Sequence, residues 1–247
     1  MSTSERRSSV RTGVVWDVVA ARLVDDLAGA RIVDIGGGTG GFAVRLAGQG
    51  HAVTVVDPSP DALAALDRRA DEAGVADLVT GVQGDLSDLG TSTIDGVEVG
   101  SADVVLCHGV LEVVPDPAVA LRTIAGVLRD GGLLSLLVAQ RHAAVVARAM
   151  AGHFQQARAL LDDPGHRSAA GGRGRRYTAE EAAALLADAG FTVEATHAVR
   201  VFADLVPGSL LDLEPGGAAA LVDLERAVAG RPEYLPLATQ VHLLATR

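Results

Sequence analysis

The segment Val33-Asp34-Ile35-Gly36-Gly37-Gly38-Thr39-Gly40-Gly41-Phe42 holds five glycines between an apolar run and a helical one. Glycine lets the backbone turn tightly and lets a ligand approach the main chain with no Cβ in the way. Glycines at 36, 38 and 41 also fit a dinucleotide fingerprint, so the loop alone points to a nucleotide without choosing which. Further on, Val55-Val56-Asp57 ends a second apolar run with a carboxylate placed where a ribose diol would lie. After a third run, Gly84-Asp85 offers a carboxylate or an amide that can reach an adenine edge. A fourth run, Asp103-Val-Val-Leu-Cys-His108, ends in an imidazole.

These residues need strands that end together and helices that return the chain. The sequence predicts an amphipathic helix over Trp16–Leu27, then strands at Arg31–Ile35, Ala52–Val56, Leu78–Gln83, Ala102–Cys107 and Leu133–Val138. Helices are expected over Phe42–Gly48, from Ser59-Pro60 to about Ala73, and from Asp116-Pro117, with Leu121, Ile124 and Leu128 on one face. Gly131-Gly132 is read as the end of that connection. Residues 141–161 read as helical and 162–176 as a Gly/Arg loop. A helix capped by Thr178 and Glu181 and stopped by Gly190 follows. Phe191–Ala203 and Thr239–Thr246 read as the last strands, separated by a turn at Glu214-Pro-Gly-Gly and a helix over Ala218–Ala229. Strands alternating with helices imply right-handed crossovers and a parallel sheet.

The succession from the glycine loop through Asp57, Gly84-Asp85, Asp103–His108, Leu111-Glu112-Val-Val-Pro-Asp116-Pro117 and Val127-Leu128-Arg129-Asp130-Gly131-Gly132-Leu133-Leu134 resembles the motif series of class I S-adenosylmethionine-dependent methyltransferases. That resemblance implies an α/β fold: a Rossmann-like, seven-stranded, mostly parallel sheet with helices on both faces and a helical and loop cover over the active site. The last strand should be antiparallel and inserted between the fifth and sixth. The organisation expected is an N-terminal helical cap over 1–30, a cofactor-binding core over 31–140, an arginine-rich cover over 141–177 and a C-terminal completion of the sheet over 178–247.

A narrower resemblance rests on His108-Gly-Val-Leu-Glu-Val-Val-Pro-Asp-Pro, Ala149-Met150-Ala151-Gly152-His153-Phe154, Val199-Arg200-Val201-Phe202-Ala203-Asp204, Leu224-Glu225 and Tyr234-Leu-Pro-Leu. Together these are similar to the bacterial tRNA 5-carboxymethoxyuridine methyltransferase family, which forms a methyl ester on a wobble uridine. The resemblance implies that Arg11 holds the methionine carboxylate, that Gly36 and Gly37 line the methionine and ribose, and that Asp57 takes the ribose hydroxyls. It further implies that Gln83, Gly84 and Asp85 surround the adenine, with Asp34, Gly38, Gly40 and Pro58 completing the cofactor site. His108 would sit near the sulfonium. Arg200 is the first candidate to orient an acceptor carboxylate, because an arginine fork suits bidentate carboxylate or phosphate binding. Arg173, Arg175, Arg176 and Tyr177 are further candidates for substrate contact. The chain departs from the family pattern at Val113 and at Ala139-Gln140, where the family has aromatics, and it has arginines at 173, 175 and 176 where the family has lysines.

The chain has 247 residues and a formal net charge of −10, which argues against indiscriminate nucleic-acid binding. The stretch 141–176 runs the other way, with seven arginines against Asp162 and Asp163. It is the candidate patch for a polyanion such as tRNA. No apolar run is long enough to span a bilayer and none follows the N-terminal arginines, so a cytosolic protein is expected. Cys107 is the only cysteine and the histidines are scattered, so no metal site is expected. Two other readings stay open. A methyltransferase of a small metabolite fits the acidic balance and the missing aromatics. A cofactor-binding protein without turnover is the third.

Overall fold

The computed structural model describes residues 3–89, 96–162, 174–207, 210 and 216–247, with side chains described from Thr12 on apart from Asp25 and Asp26. The elements in chain order are α1 (Thr3–Asp26), β1 (Arg31–Ile35), α2 (Ala43–Ala47), β2 (Ala52–Asp57), α3 (Pro60–Ala73), β3 (Val79–Gln83), β4 (Ala102–His108), α4 (Pro117–Val127), β5 (Leu128–Ala139), α5 (Arg141–Met150), α6 (Phe154–Asp162), α7 (Ala179–Asp188), β6 (Thr192–Val199), α8 (Gly217–Ala229) and β7 (Gln240–Thr246). The strands form one seven-stranded sheet in the order β3-β2-β1-β4-β5-β7-β6. β1 pairs in parallel with β2 and β4, and β2 with β3, which sets Ile35 level with Val56 and Cys107. Against β5, β7 runs the other way. The Gly131 amide donates to the Arg247 carbonyl at 3.2 Å, while at the far end the Gln140 amide donates to the Thr239 carbonyl at 3.0 Å. The expected antiparallel last strand, inserted between β5 and β6, is therefore present. No helix among the described residues is long and apolar enough to cross a membrane.

Contacts divide the chain into two units, one of residues 1–18, 137–182 and 195–242, the other of residues 19–136, 183–194 and 243–247. In the second unit the inner parallel strands β1, β2 and β4 are largely apolar on both faces, as a sheet covered by helices requires. Ile32, Val53, Val55, Val104 and Leu106 are all buried, and Leu66 of α3 and Leu121 and Ile124 of α4 are fully buried. The helix starts follow from local chemistry. Ser59 caps α3 by accepting from the Ala62 amide at 3.3 Å. Asp116 caps α4 by accepting from the Ala118 and Val119 amides at 2.9 and 3.0 Å. Each helix then has proline at its start, where no amide is missed.

In the first unit α5 and α6 pack against each other. The single helical run predicted over 141–161 is broken at 151–153. Gly152 sits there at φ +78°, and the His153 amide turns back to the Arg148 carbonyl at 2.9 Å. α7 begins with the predicted capping box. The Thr178 amide donates to Glu181 at 3.0 Å and the Glu181 amide to the Thr178 hydroxyl at 3.2 Å.

Two strand ends differ from expectation. β5 starts at Leu128 rather than Leu133, because Gly131 and Gly132 pair with Arg247 instead of ending the connection. β6 stops at Val199 rather than Ala203, because Arg200 takes a left-handed φ of +59° that no strand can contain.

Candidate active site

β1 delivers the glycine loop and β2 delivers Asp57 to the same place. The Gly36 amide donates to the Val56 carbonyl at 2.8 Å, tying the start of the loop to the end of β2. The Asp57 carboxylate then takes one backbone donor on each oxygen, from Gly38 at 3.0 Å and Ser59 at 2.9 Å. A carboxylate offers about four acceptor positions, so two remain for a diol. Glycine is needed at 37 because a Cβ would lie 2.5 Å from Oδ2 of Asp34. At Gly40, φ is +77° and a Cβ would fall 2.2 Å from Leu66 of α3. From α3, Arg69 donates to the Thr39 carbonyl at 2.8 Å and fixes the outer side of the loop.

A cavity of about 600 Å3 opens on this arrangement. Of the predicted cofactor residues, Gly36, Asp57, Pro58, Gly84 and Asp85 line it. Asp85 does so while its Oδ1 closes its own turn through the Ser87 amide at 2.7 Å and the Ser87 hydroxyl, bonds that hold its carboxyl below the usual range. Gln83 is not among the lining residues. Its amide donates to the Pro58 carbonyl at 3.4 Å and so braces the wall from outside. Gly38 and Gly40 shape the loop through Asp57 and Leu66. Asp34 lies buried beneath Gly37. The side chain of Arg11 lies outside those described.

His108 ends β4 with Nε2 2.8 Å from the Ser135 hydroxyl and its ring edge-on to Phe42, centroids 5.0 Å apart. Burial pushes its pKa down to about 4, so the imidazole is neutral at pH 7. Burial, with the neighbouring Asp57 charge, lifts Asp34 to about 7.

The two shifts predict opposing pH dependences of stability. The folded chain keeps the Asp34 proton that the unfolded chain loses near pH 3.8, so this group lowers stability as pH rises from about 4 to about 7. The unfolded chain protonates His108 below about 6.5 and the folded chain does not, so that group raises stability from about pH 4 to about 6.5. The two nearly cancel where they overlap. Asp34→Asn should expose a rise of up to about 1.4 kcal/mol per pH unit across that window, and His108→Gln a fall of similar size. Urea denaturation at pH 5 and pH 6.5 measures both. Equal slopes in all three proteins would contradict the assignment.

The substrate candidates lie in the first unit. Arg200 donates to Asp204 at 2.6 Å and to Gln240 at 3.4 Å, and its buried Nε has no hydrogen-bond partner among the described residues. Tyr177 is buried, its backbone amide bonded to the Ala139 carbonyl at 2.9 Å. Arg175 and Arg176 are half-buried, and Arg173 lies outside the described residues. Arg141, one of the seven patch arginines, is buried and paired with Glu181. It therefore has no part in a solvent-facing patch.

Sequence reasoning missed two features. One is most of the cavity wall from Gly109 to Thr123, of which the sequence marks only Val113, as the place of a family aromatic. The other is the role of Glu225 of α8, which the sequence marks only within the family resemblance: it is 1% exposed and accepts the amides of Val201, Phe202 and Ala203 at 2.8–2.9 Å. Among the described residues no group of three or more His, Cys, Asp or Glu gathers to hold a metal.

Residues 11–196 match the family model described as a methyltransferase domain. The chain is 29% identical to the tRNA 5-carboxymethoxyuridine methyltransferase of Escherichia coli O157:H7, over 98% of this chain and 89% of that one. It is 36% identical to the ubiquinone biosynthesis O-methyltransferase of Xanthomonas oryzae pv. oryzae, over 58% of this chain and 56% of that one. Among solved structures, an S-adenosylmethionine-dependent methyltransferase from Mesorhizobium loti shares the fold with a TM-score of 0.60 at 20% identity, covering 95% of this chain and 99% of that one. The [4+2]-cyclase SpnF does so with a TM-score of 0.63 at 23% identity, covering 94% and 79%. The side-chain-free cradle at Gly36–Gly37 and the half-satisfied carboxylate of Asp57 suit the nucleoside of the cofactor these matches imply. The chain belongs to the methyltransferase domain family and is an S-adenosylmethionine-dependent methyltransferase.

Proposed function

We propose that this enzyme methylates a carboxylate, the carboxymethoxy group of a tRNA wobble uridine, and leaves a methyl ester. The observation that carries this reading is the reach of the similarity. The tRNA enzymes match 98% of the chain, well past residue 196, whereas the ubiquinone enzymes match 144 residues.

Bound S-adenosylmethionine supplies a methyl carbon on a sulfonium and becomes S-adenosylhomocysteine. Asp57 holds the ribose hydroxyls, and Arg11 takes the methionine carboxylate. The acceptor carboxylate is ionised at pH 7, its ordinary pKa being about 4, so no general base is needed. The residues' task is alignment. Neutral His108 adds no positive charge beside a sulfonium. Arg200 orients the acceptor carboxylate, and Arg173, Arg175 and Arg176 contact the tRNA, while Tyr177, being buried, supports the segment from within. The setting is the cytoplasm, where tRNA is modified.

Methylation of a small metabolite is the second reading. The ubiquinone relatives and the valine-rich cavity wall favour it. Filter binding of tRNA across a salt series separates the two. Wild type should bind with an affinity that falls as salt rises, and Arg175→Ala should reduce the log–log slope by about one. Absence of tRNA binding at low salt, or an unchanged slope in each arginine variant, would leave the small-metabolite reading standing.

A further inference from the structure

The chain has four phenylalanines, two tyrosines and one tryptophan. Phe154 alone among them is exposed, at 71%; the others are buried or half-buried. It is the first residue of α6 and stands on a built corner. Gly152 turns the chain after α5, the His153 amide bonds back to the Arg148 carbonyl, and the Ala157 amide donates to the His153 carbonyl at 2.9 Å. Buried Ala157 and Leu160 anchor another face of α6, while Phe154, Arg158 and Leu161, all exposed, share the outer face at i, i+4 and i+7. The charge of this hairpin is of one sign. From residue 141 to residue 161 there are three arginines, two histidines and no Asp or Glu, in a chain of net charge −10. Arg141 is spent on Glu181, but Arg158 is exposed and Arg148 half-buried.

We propose that Phe154 is a stacking platform for an unpaired RNA base, and that Arg158 and Arg148 meet the phosphates beside it. The identity of that RNA as tRNA rests on the function proposed above. An open ring next to guanidinium groups, with no carboxylate on the hairpin to repel phosphate, fits a partner that is both planar and anionic. Stacking tolerates any base, because every base has a π face. A wobble uridine lies in a single-stranded loop, whose bases can splay onto an aromatic ring. A second copy of the chain fits this face less well, since a two-fold contact would set its arginines against their own copies.

Two RNAs test the proposal on the intact protein: a stem closed by an unpaired loop, and the same stem as a blunt duplex. Wild type should bind the looped RNA more tightly. Phe154→Ala should weaken the looped RNA by about tenfold and leave the duplex within about twofold. The salt dependence should stay as in wild type, whereas Arg158→Ala should lower the log–log slope by about 0.7, the share of one single-strand phosphate. Phe154→Tyr should restore the looped RNA, and Phe154→Leu, which keeps carbon but has no ring, should not. A Phe154→Ala protein within about twofold of wild type on the looped RNA, or with equal losses on both RNAs, would overturn the platform and leave the tRNA reading in place. Wild type that binds neither RNA at low salt would overturn the tRNA reading itself, and the platform with it. A wild-type dimer that Phe154→Ala dissociates in sedimentation would assign the ring to a second copy and overturn the proposal.

Discussion

Asp57→Ala is expected to weaken S-adenosylhomocysteine binding by about tenfold to a hundredfold, the equivalent of about 1.5–3 kcal/mol. Two losses combine. The ribose loses charge-assisted bonds, and the glycine loop loses the anchor that holds Gly38 and Ser59 against the end of β2. Asp57→Asn should fall between, since it keeps one acceptor oxygen and replaces the other with a donor facing a backbone amide. Titration calorimetry at pH 7 reads both variants. An Asp57→Ala protein with wild-type affinity would remove the ribose from this carboxylate.

Glu225→Ala should cost about 3–5 kcal/mol of stability. Three consecutive amides, those of Val201, Phe202 and Ala203, donate to a carboxylate that is almost wholly buried. Alanine leaves all three without a partner, and each orphaned buried donor costs about 1–3 kcal/mol. The clamp also holds the turn in which Arg200 takes its left-handed conformation, which an L side chain adopts at a cost of about 1–2 kcal/mol. Glu225→Gln, with one acceptor oxygen left, should recover part of the loss. Urea unfolding monitored by circular dichroism measures it. Stability within about 0.5 kcal/mol of wild type in the alanine variant would mean the turn holds itself.

The sequence made legible whatever local chemistry determines. Ser59-Pro60, Asp116-Pro117 and the Thr178–Glu181 box start helices where their hydrogen bonds require. The glycine loop and Asp57 meet because adjacent parallel strands end level. What escaped depends on partners distant in sequence. Leu128–Gly132 is strand because Arg247 returns to pair with it. Glu225 is marked in the sequence only within the Leu224-Glu225 block of the family resemblance, and its clamp on the amides of 201–203 depends on the folded turn. Apart from Val113, the place of a family aromatic, the valines from 110 to 119 carry no signal that separates core from cavity wall, since the same side chains serve both. Arg141 counts toward an arginine patch by sequence, yet burial and Glu181 withdraw it from solvent.

Incubating the protein with S-adenosylmethionine labelled in the methyl group, in the presence of bulk tRNA carrying unesterified carboxymethoxyuridine, tests the account most directly. The account predicts label in the tRNA that mild alkali releases as methanol, as an ester requires, and a large loss of that label with Arg200→Ala. Alkali-stable label, or no transfer to tRNA by protein that still binds S-adenosylhomocysteine, would contradict it.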